Sequence, residues 1–222
     1  MKIIGHRGAR GLAPENTVAS LQKGMEHHVD ELEFDLRVTK DGVVILNHNK
    51  TVTDAAGNKL EITAHTYQEL KAHKPDLATF TEALDAINRQ TLALIEVKRH
   101  VSVAPIVATI RQYLAKGWKN ENFLLGSKHQ PTLLALHKAL PDIQKIVIHA
   151  WSGIIARHRA KQVNTMRISM RSWFLWWGFI AGMRRGGYQL CAYTLNDPVK
   201  AKRWAAHGLA GVITDFPDRF EK

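Results

Sequence analysis

Residues 3–49 read IIGHRGARGLAPENTVASLQKGMEHHVDELEFDLRVTKDGVVILNHN, and the order of apolar and polar groups in this stretch sets out one unit of architecture. Lys2-Ile3-Ile4 reads as a short buried strand, His6 to Pro14 as a loop, Asn16 to His28 as a helix and Glu31 to Arg37 as a second strand. Asn16 fits a helix N-cap, with Val18, Leu21 and Met25 following at helical spacing. Leu32, Phe34 and Leu36 alternate with Glu33, Asp35 and Arg37, which puts both carboxylates on one side of a strand. Thr39-Lys40-Asp41-Gly42 has turn chemistry, and Val43 to Leu46 returns as a hairpin partner that carries His48 back towards Glu33 and Asp35.

Outward from this stretch the pattern recurs. Strands are expected at Thr91 to Lys98, Phe123 to Gly126, Lys145 to His149, Met166 to Ile168, Gln189 to Thr194 and Gly211 to Ile213. Helical spacing over Phe80 to Ile87, Val101 to Lys116, Pro131 to Leu140, Ser152 to Lys161, Trp173 to Arg185 and Pro198 to His207 fills the gaps. With Lys2-Ile3-Ile4 counted first, eight main strands alternate with helices, which predicts a parallel sheet closed into an α/β (β/α)8 barrel. The segment 50–76 is polar, holds Gly57 and Pro75 and has one helical piece at Thr66 to Ala72. It reads as a small insertion after the second strand of a single domain spanning 1–222. No G-x-G-x-x-G or G-x-x-x-x-G-K-[ST] stands at a strand–helix junction, which disfavours a nucleotide-binding sheet.

Composition sets the outer limits. The 222 residues suffice for one barrel, slightly below the usual length of about 250. Hydrophobic residues at 45% and charged residues at 23% belong to an ordinary packed fold rather than a disordered chain. Neither a signal-peptide core nor a membrane-spanning run is present, so a cytoplasmic location is expected. Cys191 is the only cysteine and lies in an apolar run, where a buried inert thiol is expected. The net charge of +11 favours anionic partners in general, but its lysines and arginines are dispersed, and no helix-turn-helix or aromatic–basic signature points to specific nucleic-acid binding.

Glu33, Asp35 and Glu96 fall at the C-terminal ends of the second and third barrel strands, where barrels of this kind place reactive groups. Converging carboxylates repel one another unless a cation neutralises them, and oxygen donors without a Cys/His set suit one divalent cation, Mg²⁺ or Ca²⁺, rather than zinc. His6 and His48 come from separate segments and are suited to divide proton removal and proton donation. Arg7 and Lys98 add positive charge beside them, which points to phosphoryl chemistry.

These residues resemble a known family. His6-Arg7-Gly8, Pro14-Glu15-Asn16-Thr17, Glu33-x-Asp35, Thr39-Lys40-Asp41-Gly42 and His48 are similar to the N-terminal signature of the glycerophosphodiester phosphodiesterases. Ile95-Glu96-Val97-Lys98, Thr194-Leu195-Asn196-Asp197 and Ile213-Thr214-Asp215-Phe216-Pro217-Asp218 resemble later motifs of that family, in family order. The resemblance implies a metal-dependent barrel enzyme that splits glycerophosphodiesters into glycerol 3-phosphate and an alcohol, through a cyclic phosphate that water opens. It assigns Glu33, Asp35 and Glu96 to the metal, His6 and His48 to acid–base catalysis, and Arg7 and Lys98 to phosphate. It also gives Glu15 the task of holding the first loop and orienting His6. The chain departs from the pattern at Asn49, Lys128 and Tyr193, where the family usually has Asp, Phe and Trp. The change at Asn49 implies a lost orienting acid, and Lys128 adds a cation where an apolar wall is expected. Two other readings are carried alongside: a phospholipase D-like hydrolase of lysophospholipids, and a catalytically weak phosphodiester-binding barrel.

The run from Trp173 to Met183 is apolar almost all round and is flanked by Arg171, Arg184 and Arg185. A barrel helix needs only one apolar stripe, so some of these aromatics are expected outside the core, either covered by a neighbouring subunit or the sixth strand's loop, or as a contact for acyl chains or a membrane surface.

Overall fold

The computed structural model describes residues 1–220. Its first half runs β1 (Lys2–Gly5), α1 (Val18–Glu26), β2 (Glu31–Val38), β3 (Val44–Leu46), β4 (Thr51–Thr53), β5 (Lys59–Glu61), α2 (Tyr67–His73), α3 (Phe80–Ile87) and β6 (Leu92–Val97). There follow α4 (Ala104–Ala115), β7 (Phe123–Ser127), α5 (Gln130–Ala139), β8 (Gln144–His149) and α6 (Gly153–Gln162). The chain closes with β9 (Arg167–Arg171), α7 (Trp177–Arg185), β10 (Gln189–Tyr193), α8 (Pro198–Ala206) and β11 (Gly211–Thr214). Strands β1, β2 and β6 to β11 pair in parallel, and β1 joins both β2 and β11, so the sheet closes into an eight-stranded (β/α)8 barrel.

Strand parity produces the layers. Leu32, Phe34 and Leu36 face outward into the apolar shell beneath the helices, while Glu31, Glu33 and Asp35 take the opposite side of β2. A small apolar cluster of Ile4, Leu94, Leu124, Ile146, Cys191 and Ile213 plugs the barrel interior. Burial raises the Cys191 thiol to about 11, in keeping with an inert side chain. At the N-terminal end of the strands, Arg167 Nη2 on β9 reaches Glu31 Oε1 on β2 at 2.6 Å and Oε2 at 2.8 Å. These strands lie opposite each other around the barrel, so this ion pair ties its two sides together. Arg167→Met should lower stability by about 3 kcal/mol, near the lower end for a broken buried pair, because Lys2 Nζ still reaches Glu31 at 2.6 Å. Urea denaturation reads this, and a loss below about 1 kcal/mol would show that the pair contributes little.

Several local expectations need correction. The N-cap of α1 is Thr17, whose side chain accepts from Ser20 N, and not Asn16. Asn16 is drawn away because its side chain is spent on β2: Nδ2 donates to Asp35 Oδ2 and Oδ1 accepts from Asp35 N, each at 3.0 Å. The insertion holds a two-stranded hairpin, β4 with β5, in addition to α2. Its strands are too short for alternation to stand out in the sequence, but Val52, Ile62, Leu70 and Leu77 give it a core with Ile45. The segment expected as one helix from Trp173 breaks into a 3-10 turn at Ser172–Phe174 and α7 from Trp177. The Trp176 ring folds over Gly178, where a Cβ would collide with it, and Leu175, Ile180 and Met183 are buried. Trp173, Trp176 and Trp177 stay 58–72% exposed. Among the described residues no helix is long and apolar enough to cross a membrane.

Candidate active site

The C-terminal strand ends bring the sequence-selected residues to one place. Parallel pairing of β2 with β6 sets Asp35 beside Glu96 in register, and Glu33 lies one inward position below Asp35. Ligating atoms of Glu33, Asp35 and Glu96 all lie within 4.8 Å of one another, and each residue is buried. His6 and Arg7 arrive on the loop after β1. Gly8 makes that loop's tight approach to α1, since it sits at φ 88° with no room for a Cβ against the Ser20 backbone. Arg7 N then donates to Glu33 Oε2 at 2.8 Å, which fixes the loop on the carboxylate cluster. His48 comes from the end of the β2–β3 hairpin, where Arg37 Nη2 and Nε donate to its carbonyl at 2.9 and 3.2 Å.

Positive charge is wired into the same cluster. Lys98 Nζ lies 2.5 Å from Asp35 Oδ1 and 2.7 Å from Glu96 Oε1. Arg7 Nη1 donates to Glu15 Oε1 at 2.6 Å, and its Nε lies 3.4 Å from Asp35 Oδ2. Lys128 Nζ stands 3.3 Å from Glu96 and 5.3 Å from the centre of the Tyr193 ring, so two of the departures from the family pattern touch each other at the cluster.

The electrostatics differ between neighbouring carboxylates. Burial, and then the nearby charge of Asp35, raise Glu33 to about 7. Burial also acts to raise Asp35, but Lys98, Arg7 and His48 outweigh it and hold that carboxyl far below its ordinary range. Glu33 is thus the member left without a fixed cation of its own. An all-oxygen donor set with one under-neutralised carboxylate fits a hard divalent cation. His6, Glu33, Asp35, His48 and Glu96 are among the residues around a space of about 30 Å³, which suits something of ionic size.

Each histidine has one ring nitrogen engaged. His6 Nδ1 donates to Asp215 Oδ1 at 2.6 Å, and His48 Nδ1 donates to Asn49 Oδ1 at 3.0 Å, which leaves Nε2 free in both. Burial, and then the charge of Lys98, lower His48 below its ordinary value. Burial would raise Asp215, but hydrogen bonds from His6 and Asn196 and the charges of His6 and Arg10 hold it low. Asn196 fixes this acid from both sides, as Nδ2 donates to Asp215 Oδ2 at 3.0 Å and Oδ1 accepts from Asp215 N at 2.8 Å.

The partner of His6 is therefore Asp215 and not Glu15. Glu15 instead pairs with Arg7 at 2.6 Å and with Arg10 at 3.4 Å, a place set by its position at the mouth of α1. Asp215 stood in the last motif of the sequence without a role, and only the pairing of β1 with β11 brings it to His6. Asn49 keeps an acceptor against His48 but carries no charge, so the orienting contact survives the departure from Asp.

Residues 6–219 match the Glycerophosphoryl diester phosphodiesterase family. The chain belongs to that family. It is 27% identical to the putative glycerophosphodiester phosphodiesterase YhdW of Bacillus subtilis, with 98% of this chain and 96% of the relative aligned. Identity to the human lysophospholipase D GDPD1 is 24%, over 98% of this chain and 84% of that protein. In fold, the chain is similar to an Oleispira antarctica phosphodiesterase solved with its product sn-glycerol-3-phosphate, at TM-score 0.86, 22% identity and coverage of 99% and 94%. The cluster described above thus lies in a phosphodiesterase-family barrel, at the strand ends where such barrels carry their chemistry.

Proposed function

We propose that the chain hydrolyses glycerophosphodiesters to glycerol 3-phosphate and an alcohol, with Glu33, Asp35 and Glu96 holding one divalent cation, Mg²⁺ or Ca²⁺. The observation that carries this reading is the meeting of those carboxylates, within 4.8 Å of one another, with His6 and His48 around one small space. A bound divalent ion supplies Lewis-acid polarisation of a phosphoryl oxygen. Arg7 and Lys98 hold positive charge beside that space and offset the negative charge of the phosphodiester. His48, kept neutral by burial and Lys98, accepts the proton of the glycerol hydroxyl that attacks phosphorus. His6, held by Asp215, gives a proton to the departing alcohol oxygen. The two exchange these tasks when water opens the cyclic phosphate. The retained Asn49 contact favours a working catalyst over a barrel that only binds diesters.

Lysophospholipids are a second substrate class for the same chemistry, favoured by the exposed aromatics on the catalytic face. Trp173 and Phe174 follow β9, and Trp151 (62% exposed) follows β8, both at strand ends on the side of the barrel that carries the carboxylates, whereas Trp176 and Trp177 lie along α8 with Lys200, Arg203, Trp204 and His207. Indole rings beside Arg171 suit a lipid–water boundary. Phosphorus NMR separates the readings: water-soluble glycerophosphodiesters should yield glycerol 3-phosphate, and lysophospholipid vesicles should yield lysophosphatidate. Absence of turnover with every diester, in either Mg²⁺ or Ca²⁺, would refute the assigned function. Lysophosphatidate release unchanged in Trp151→Ser/Trp173→Ser would remove the aromatic face from it.

A further inference from the structure

A cavity of about 360 Å³ adjoins the catalytic centre on its insertion side, within the usual range for small-ligand sites. The segments that build the centre continue directly into its wall. Arg37 follows Asp35 on β2, Lys50 follows His48, and Arg99 follows Lys98. Arg37 links the two spaces, because it lines the cavity and its guanidinium donates to the carbonyl of His48, a residue of the catalytic space. The end of the β4–β5 hairpin closes the far side through Glu61 and Ile62.

The wall has an uneven charge. Arg37, Lys50 and Arg99 line it, and among the described residues none of the three has a carboxylate within ion-pair distance. The one carboxylate in the wall, Glu61, accepts a hydrogen bond from Thr63 Oγ1 at 3.3 Å. Arg99 Nε donates to His100 Nε2 at 2.9 Å, which aligns that side chain and leaves its terminal nitrogens unengaged. Guanidinium groups held without a protein carboxylate are suited to a phosphate or carboxylate from outside. The space at the carboxylates is small, about 30 Å³, beside the roughly 360 Å³ of this cavity.

We propose that this cavity is the subsite for the leaving alcohol, and that it selects alcohols carrying a negative charge, a phosphate or a carboxylate, over cationic ones such as choline. The proposal rests on the phosphodiesterase reading above and adds to it the class of alcohol. Val38, Ile62 and Val101 take the carbon skeleton, while Lys50 and Arg99 meet the charged terminus.

The test compares kcat/KM for three diesters of glycerol phosphate, whose alcohols are glycerol phosphate (anionic), glycerol (neutral) and choline (cationic). The wild-type chain should favour the anionic over the cationic diester by at least about tenfold at low salt, where exposed charges are least screened. Lys50→Gln/Arg99→Gln should reduce the anionic-to-neutral ratio at least about tenfold. A wild-type preference for choline, or a ratio unchanged in the double variant, overturns the subsite while leaving the phosphodiesterase reading intact. Calorimetry with inorganic phosphate in excess chelator reads anion binding without turnover, and the double variant separates binding in the cavity from binding at the centre. Affinity weakened at least about tenfold in the double variant supports the proposal, and equal affinity overturns it. No turnover with any diester refutes the phosphodiesterase reading instead, and the phosphate titration then still decides the anion site.

Discussion

Glu96→Gln should lower turnover by at least about 100-fold and raise the concentration of Mg²⁺ or Ca²⁺ needed for half-maximal activity. Excess chelator should abolish wild-type turnover reversibly. Glu96 is the expected weak point of the trio because two lysines converge on it, Lys98 at 2.7 Å and Lys128 at 3.3 Å. Neutralising that carboxylate leaves both ammonium groups facing a divalent ion with one counter-charge fewer. Glu33→Gln should fall at least about 100-fold for a different reason: it removes the one carboxylate that has no cation of its own and so is freest to bind an ion. Full activity in excess chelator would eliminate the metal, and a Glu96→Gln chain with wild-type ion dependence would eliminate this ligand. Thermal melts of each variant separate a lost ligand from a lost fold.

His6→Ala and His48→Ala should each lose about 10²–10⁴-fold in turnover, the range for a positioned acid or base. The two differ in how they are held, and that difference is measurable. Asp215→Asn should cost about 10–100-fold, as for loss of a partner that orients a working histidine, with KM little altered. Asn49→Asp should instead move the pH profile. In the proposed mechanism a neutral His48 is the base, so activity should rise with pH through its pKa, and burial with Lys98 should place that limb below the ordinary histidine value of about 6.5. A carboxylate at position 49 stabilises the imidazolium and should shift the limb upward. Either histidine variant keeping more than a tenth of wild-type turnover would lose its assigned role, and an unshifted limb in Asn49→Asp would take the base assignment from His48.

Much of this centre could be read along the chain because it depends on local periodicity. The two-residue repeat of β2 put Glu33 and Asp35 on one side whatever the rest of the chain did. Strand–helix alternation then implied a parallel barrel, which brings Glu96 beside them. The Thr39–Gly42 turn returned His48 to the same place for similarly local reasons. Periodicity also warned that the aromatics from Trp173 exceeded what one buried stripe could take, and those tryptophans are exposed.

What the sequence could not determine depends on contacts between segments far apart in the chain. The choice of Asp215 over Glu15 as the partner of His6 rests on closure of β1 against β11, across 209 positions. Asn16 has the composition of a helix cap, and only the approach of β2 turns its amide onto Asp35 and moves the cap to Thr17. The Glu31–Arg167 pair spans the barrel, and the cationic cavity is walled by two separate segments and the insertion. A side chain's preference for helix or strand is set by its near neighbours along the chain. The partner that satisfies a buried charge is set by where the barrel closes, and the tertiary structure alone decided that.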